Sequence, residues 1–175
     1  MSLQNLHVIL RHKSEKELID EIAELYKRFD AVKRYDKVPL LNDDEEDVFN
    51  YNVRKIKQSM LPTFTIDTPL PVYEIADAKK IILEYKMMSS NGYGIARLML
   101  FYIELCIHII NEYDYIETVW TSGISTFETL MTFIKKNDLD VGMHKEIERV
   151  VQLSSQHIEM NCALACIYEM INIKD

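Results

Sequence analysis

Apolar residues recur at helical spacing along nearly the whole of this chain, and that single period constrains the fold more than any other feature. A first short helix is predicted over about Leu3 to Arg11. Ser14-Glu15-Lys16-Glu17 then has the S-x-x-E form of a capping box, and Leu18, Ile22, Leu25, Tyr26 and Phe29 follow at helical spacing. A brief helical turn is expected around Ala31 to Tyr35. Asn42-Asp43-Asp44-Glu45 repeats the capping logic, placing acids at the positive end of a helix whose apolar positions are Phe49, Val53, Ile56 and Met60. Pro62 ends it.

From Val72 the period returns through Ile75, Ala78, Ile82 and Tyr85 and stops at Asn91-Gly92, read as a left-handed cap. The most apolar helix is expected from about Ile95 to Tyr113, and another from about Tyr115 to Lys136, in which Gly123 marks either close packing or a kink. The last stretch, from Val141 to Ile171, reads as one long helix or two short ones.

No stretch alternates with period two, and glycine and proline number only four each. Leu61 to Pro71, with Pro62, Pro69 and Pro71, is an irregular connector, because each proline removes an amide donor and pushes its predecessor toward extended backbone. The predicted fold is all-α without a sheet: an irregular helical bundle or short stack of helical hairpins, about seven to eight helices in a single domain over residues 1–175. A chain of this length buries roughly 70% of its unfolded surface, enough for a core without staples.

Charge narrows the function classes. Twenty-eight acids against twenty bases give a net charge of −8. Extended nucleic-acid binding is not expected, since it depends on Lys and Arg neutralising phosphates. One basic cluster, Lys27, Arg28, Lys33, Arg34 and Lys37, faces the acidic run Asp43-Asp44-Glu45-Glu46-Asp47 in sequence, so mutual screening or solvation accounts for both. Ile95 to Ile110 is interrupted by Arg97, Glu104 and His108 and falls short of the roughly 20 apolar residues of a membrane span. No membrane association is predicted. Met1 to Asn5 has no charged region followed by an apolar run, so no secretion signal is expected. Cys106, Cys162 and Cys166 are odd in number and lie in apolar helical stretches, which predicts a reducing, cytoplasmic setting and buried thiols.

Several segments resemble an uncharacterised bacterial all-helical family, a domain-of-unknown-function group of Bacteroidota type. They are Lys13-Ser14-Glu15-Lys16-Glu17-Leu18-Ile19, Leu25 to Phe29, Val32 to Tyr35, Leu98 to Leu105 and Ser125 to Glu128. The likeness covers about residues 3 to 150. It departs at the 61–74 connector, which lacks the basic character of the family, and in a longer C-terminal helix. The resemblance implies a helical fold and a bacterial origin, and no chemistry.

Among residues able to carry chemistry, Glu104 and His108 stand i, i+4 on an otherwise apolar helix, where a carboxylate stabilises a charged imidazole. They are read as an internal strut in preference to a site. Glu112 extends the same face. His144 and Glu148 repeat the spacing, with His157 further on, but no histidine has the Glu-x-x-His spacing of a four-helix carboxylate metal site. Cys162 and Cys166 are read as packing groups, not ligands. Asn91-Gly92-Tyr93-Gly94 with Arg97 reads as an interhelical turn in preference to an anion cradle. GxSxG, Walker, GxGxxG and HExxH signatures are lacking, so no catalytic residue, metal or cofactor is assigned and an enzyme is not favoured. Tyr26, Tyr35, Tyr85, Tyr102 and Trp120 fall where core packing wants them, and the nine methionines fill gaps in an irregular core. The expected role is protein interaction, with an unknown protein partner or by self-association. The alternative is a bundle binding a metal or small ligand, conceivably an enzyme, around Glu104 and His108.

Overall fold

A computed structural model describes residues 3–29, 32, 45–66, 68–113 and 116–172. The expected turn at Ala31 to Tyr35, the Asn42 cap and the basic residues Lys33, Arg34 and Lys37 lie outside them, Val32 excepted. The described residues form two compact units, Met1–Glu45 and Glu46–Asp175.

In the N-terminal unit, α1 (Leu3–Arg11) and α2 (Glu15–Arg28) are joined by a tight turn. The capping box closes as its sequence requires: the Glu17 amide donates to Ser14 Oγ at 3.4 Å, and the Ser14 amide donates to Glu17 Oε2 at 2.8 Å. Ser14 Oγ also donates to Glu17 Oε2 at 2.7 Å, and with the Ser14 amide it favours the charged carboxyl, so the Glu17 pKa is lowered. Glu15 and Glu17 sit in the first turn and Lys27 and Arg28 in the last, complementing the helix dipole. None of the residues of α2 is buried.

The second unit is built around one helix. It comprises α3 (Glu45–Ser59), a hairpin of β1 (Thr63–Thr65) and β2 (Thr68–Val72), then α4 (Ile75–Met88), α5 (Gly92–Tyr113), α6 (Glu117–Lys136), α7 (Asp140–Leu153) and α8 (Ile158–Asn172). Helix α5 buries Leu98, Tyr102, Ile103, Cys106, Ile107 and Ile110, among others, and packs against α6, α7 and α4. Helix α8 closes onto α6 through Met160, Leu164 and Ile167, spaced i, i+4, i+7. Gly123 is a point of close packing: a Cβ there would stand 3.0 Å from Met160 Cε and 3.1 Å from Cys106 Cβ. Helix α5 begins earlier than expected, and at 22 residues it has the length and apolarity of a membrane span, with 61% of its most apolar window buried inside this unit.

The all-α class and the eight α-helices among the described residues agree with the sequence reading. Three details differ. The expected absence of a sheet fails at residues 63–72, inside the connector, where Thr63 pairs with Val72 and Thr65 with Thr68 in an antiparallel hairpin. β-branched threonines favour extended backbone, and two strands with only open edges tolerate prolines that a central strand would reject. The hairpin's base is tied where the Glu74 amide donates to the Ser59 carbonyl at 3.1 Å. Secondly, Asn91-Gly92 is not a left-handed cap, since no described glycine has positive φ. Asn91 Oδ1 instead accepts the Gly94 amide at 2.9 Å, capping the start of α5, and Gly94 is required because a Cβ would meet Tyr85 Oη at 2.8 Å. The left-handed cap occurs at Asp138, φ 53°, where the Leu139 amide reaches back to the Ile134 carbonyl at 3.1 Å. Thirdly, Cys162 and Cys166 are exposed, because the buried stripe of α8 runs along its opposite face. Cys106 is buried as expected, and desolvation pushes its thiol up to about 12.

Candidate functional site

Glu104 and His108 do share a helix, but the structure does not bring them together. The Glu104 carboxylate, with a side chain 19% exposed, pairs with Arg149 of α7. His108 is exposed. Among the described residues no hydrogen bond or ion pair joins the two. The glutamate is therefore a tether between α5 and α7, with a guanidinium, not an imidazole, as its partner. Glu112 is also exposed, and among the described residues no group of three or more His, Cys, Asp and Glu side chains is placed to hold a metal ion.

The second i, i+4 pair does form, and it recruits a residue from another helix. His144 Nε2 lies 3.3 Å from Glu148 Oε1, while His144 Nδ1 lies 2.6 Å from the Tyr168 hydroxyl of α8. His144 and Glu148 are about half exposed, so the trio clasps α7 to α8 at the surface.

Arg97, read as a possible anion ligand, is consumed internally. It donates to both carboxylate oxygens of Glu46, at 3.0 and 3.3 Å, and stacks over Phe49 at 4.2 Å. Hydrogen bonding to Glu46 is the main cause of its raised pKa. Tyr93 donates to Glu146 at 2.9 Å, which raises its own pKa in turn. This set joins α3, α5 and α7.

Two surfaces remain. The first is the apolar stripe of α2 and its C-cap, where Ile22, Leu25 and the capping Phe29 are 55%, 47% and 53% exposed, with Ile19 beside them. The sequence shows the stripe; the structure shows that it stays exposed within the N-terminal unit. The second, missed by sequence reasoning, is a cleft of about 260 Å³ where α4 and α6 diverge over α5. Lys79, Ile82, Leu83 and Lys86 of α4 form one wall, Ser125, Thr126 and Thr129 of α6 the other, and Met99 of α5 the floor. A signal was present: Lys79 and Lys86 are seven residues apart, two turns on one helix face, bracketing Ile82 and Leu83.

An all-α fold whose helices are tethered by side-chain bonds is the class these features define. The chain belongs to the family of unknown function DUF6155, whose model matches residues 1–172. No curated protein and no solved structure matches it.

Proposed function

We propose that the protein is a cytoplasmic interaction domain whose N-terminal amphipathic helix, α2, seats in an apolar groove on another protein. One observation carries this reading: Leu18, Ile22 and Leu25 follow a 4-3 spacing, the anchor pattern of helix-in-groove recognition, on a helix with no buried residue, and exposed Phe29 follows at its C-cap. An isolated helix of 14 residues is marginal in water, so a covering surface is what such a segment needs. The stripe is bordered by Glu15, Glu17, Asp20, Glu21 and Glu24 against Lys16, Lys27 and Arg28. That balance suits a groove with a basic rim and opposes an anionic membrane surface. Free thiols, two of them exposed, support the cytoplasmic setting.

Ile22, Leu25 and Phe29 are about half exposed, so completing their burial is worth about half of the 1.5–3 kcal/mol each carries, or roughly 3 kcal/mol together. The test is capture from the native host by the full chain and by the double variant Ile22→Asp/Leu25→Asp. A stoichiometric partner that the variant binds roughly a hundredfold more weakly, with thermal unfolding unchanged, supports the reading. If light scattering shows a dimer that the variant dissociates, a second copy is the occupant and the heterologous reading fails. A variant that unfolds earlier yet keeps every partner assigns the stripe to the chain's own interior and also rejects it.

A further inference from the structure

We propose that the cleft between α4 and α6 binds a small amphiphilic organic anion, a carboxylate or phosphate ester carrying a short apolar body. The proposal is independent of α2. On a chain of net charge −8, none of the residues lining this cleft is acidic, and two are lysines. Among the described residues neither ammonium takes part in an ion pair. Lys79 Nζ donates to Ser125 Oγ at 3.2 Å, and Lys86 Nζ lies 4.9 Å from the centre of the Phe133 ring. Both cations are thus steered toward the α6 wall while keeping donors for an incoming anion.

The hydroxyls define the polarity further. Thr126 and Ser125 both donate to the Ser122 carbonyl, at 2.8 and 3.1 Å, and Thr129 donates to the Ser125 carbonyl at 2.8 Å. Their protons are spent on their own helix, so the charge of a ligand must be met by Lys79 and Lys86. Between the lysines the cleft is apolar: Ile82 is 8% exposed, Met99 is 3% exposed, and Leu83 edges the opening. Burying a charged group on that floor is costly, whereas a hydrocarbon or ring gains there by leaving water. A volume of about 260 Å³ lies just under the roughly 300–1,000 Å³ of pockets for drug-sized ligands, which sets the size as small.

The experiment is calorimetric titration of the full chain with octanoate and with octyl phosphate, flanked by octanol and inorganic phosphate. At least one of the two amphiphiles should bind, more weakly as salt rises, and the tighter of them identifies the headgroup. Octanol and phosphate should each bind at least about tenfold more weakly. Lys79→Gln/Lys86→Gln should weaken the amphiphile about tenfold or more, and Thr129→Glu, which sets a carboxylate on the exposed rim, should abolish binding. Binding that survives both variants, phosphate alone binding as tightly as octyl phosphate, or no heat from either amphiphile would overturn the proposal.

Discussion

Removing the Ser122 hydroxyl should unmask how much of this fold's stability rests on one polar contact in its core. Tyr102 is 0% and Ser122 6% exposed, and their hydroxyl oxygens lie 2.7 Å apart across the α5–α6 interface. Desolvation raises the Tyr102 pKa, so the group is neutral and needs a partner. Ser122→Ala leaves that phenol beside Cys106 alone, a weak acceptor, and should cost about 2 kcal/mol, within the 1–3 kcal/mol range for an orphaned buried polar group. Tyr102→Phe should cost only about 1 kcal/mol, because a helical serine can turn its proton to the carbonyl one turn back. With both partners gone no donor is stranded, so the double variant should cost about 1.5 kcal/mol, roughly 1.5 below the sum of the singles. Urea unfolding followed by circular dichroism measures the cycle, and thermal melts should drop about 4–8 °C for Ser122→Ala. Additivity within about 0.5 kcal/mol would refute the reasoning, since independent sites behave that way.

Asp138→Gly should stabilise the chain by about 1 kcal/mol, because Asp138 holds the left-handed position of a helix C-cap where glycine avoids the Cβ penalty; a loss of stability in urea would count against that geometry. Glu104→Gln should cost about 0.5–1 kcal/mol by weakening the tie to a largely exposed Arg149, while His108→Ala should stay within about 0.5 kcal/mol. Equal losses from the two would restore the pairing that the structure denies. Of the three thiols, Cys162 and Cys166 should react promptly with an aromatic disulfide reagent at pH 8, and Cys106 only on unfolding, as burial holds it protonated; rapid modification of all three would contradict the packing of α5.

Where a helix signal was carried by adjacent residues it was legible. The Ser14 capping box, the stop before Pro62 and the span ending at Lys136 depend on neighbours within a turn, and each stands where its residues placed it. Errors arise where the decisive atom is distant or where one side chain has two uses. Asn91 is suited both to end a helix and to begin one, and the bond from Gly94 decides for the second. The threonines between Pro62 and Pro69 read as loop because a five-residue strand paired with a three-residue one leaves too few positions for a period to show.

The site was less legible for a reason that sharpens what the structure adds. An i, i+4 spacing guarantees proximity of Glu104 and His108 along one helix, yet a carboxylate's partner is set by whichever donor packs against it. Arg149 stands 45 residues away on another helix, beyond any local pattern. The same limit governs the apolar stripes. Leu18, Ile22 and Leu25 on α2 have the periodicity of Met160, Leu164 and Ile167 on α8, but the second stripe is sealed by α6, whereas within the N-terminal unit Ile22 and Leu25 stay about half exposed. Periodicity states which face must leave water; it is silent on what covers that face. An exposed apolar stripe is therefore the feature on which the proposed interaction rests, and Glu104 and His108, which the helix spacing brings to one face, do not pair.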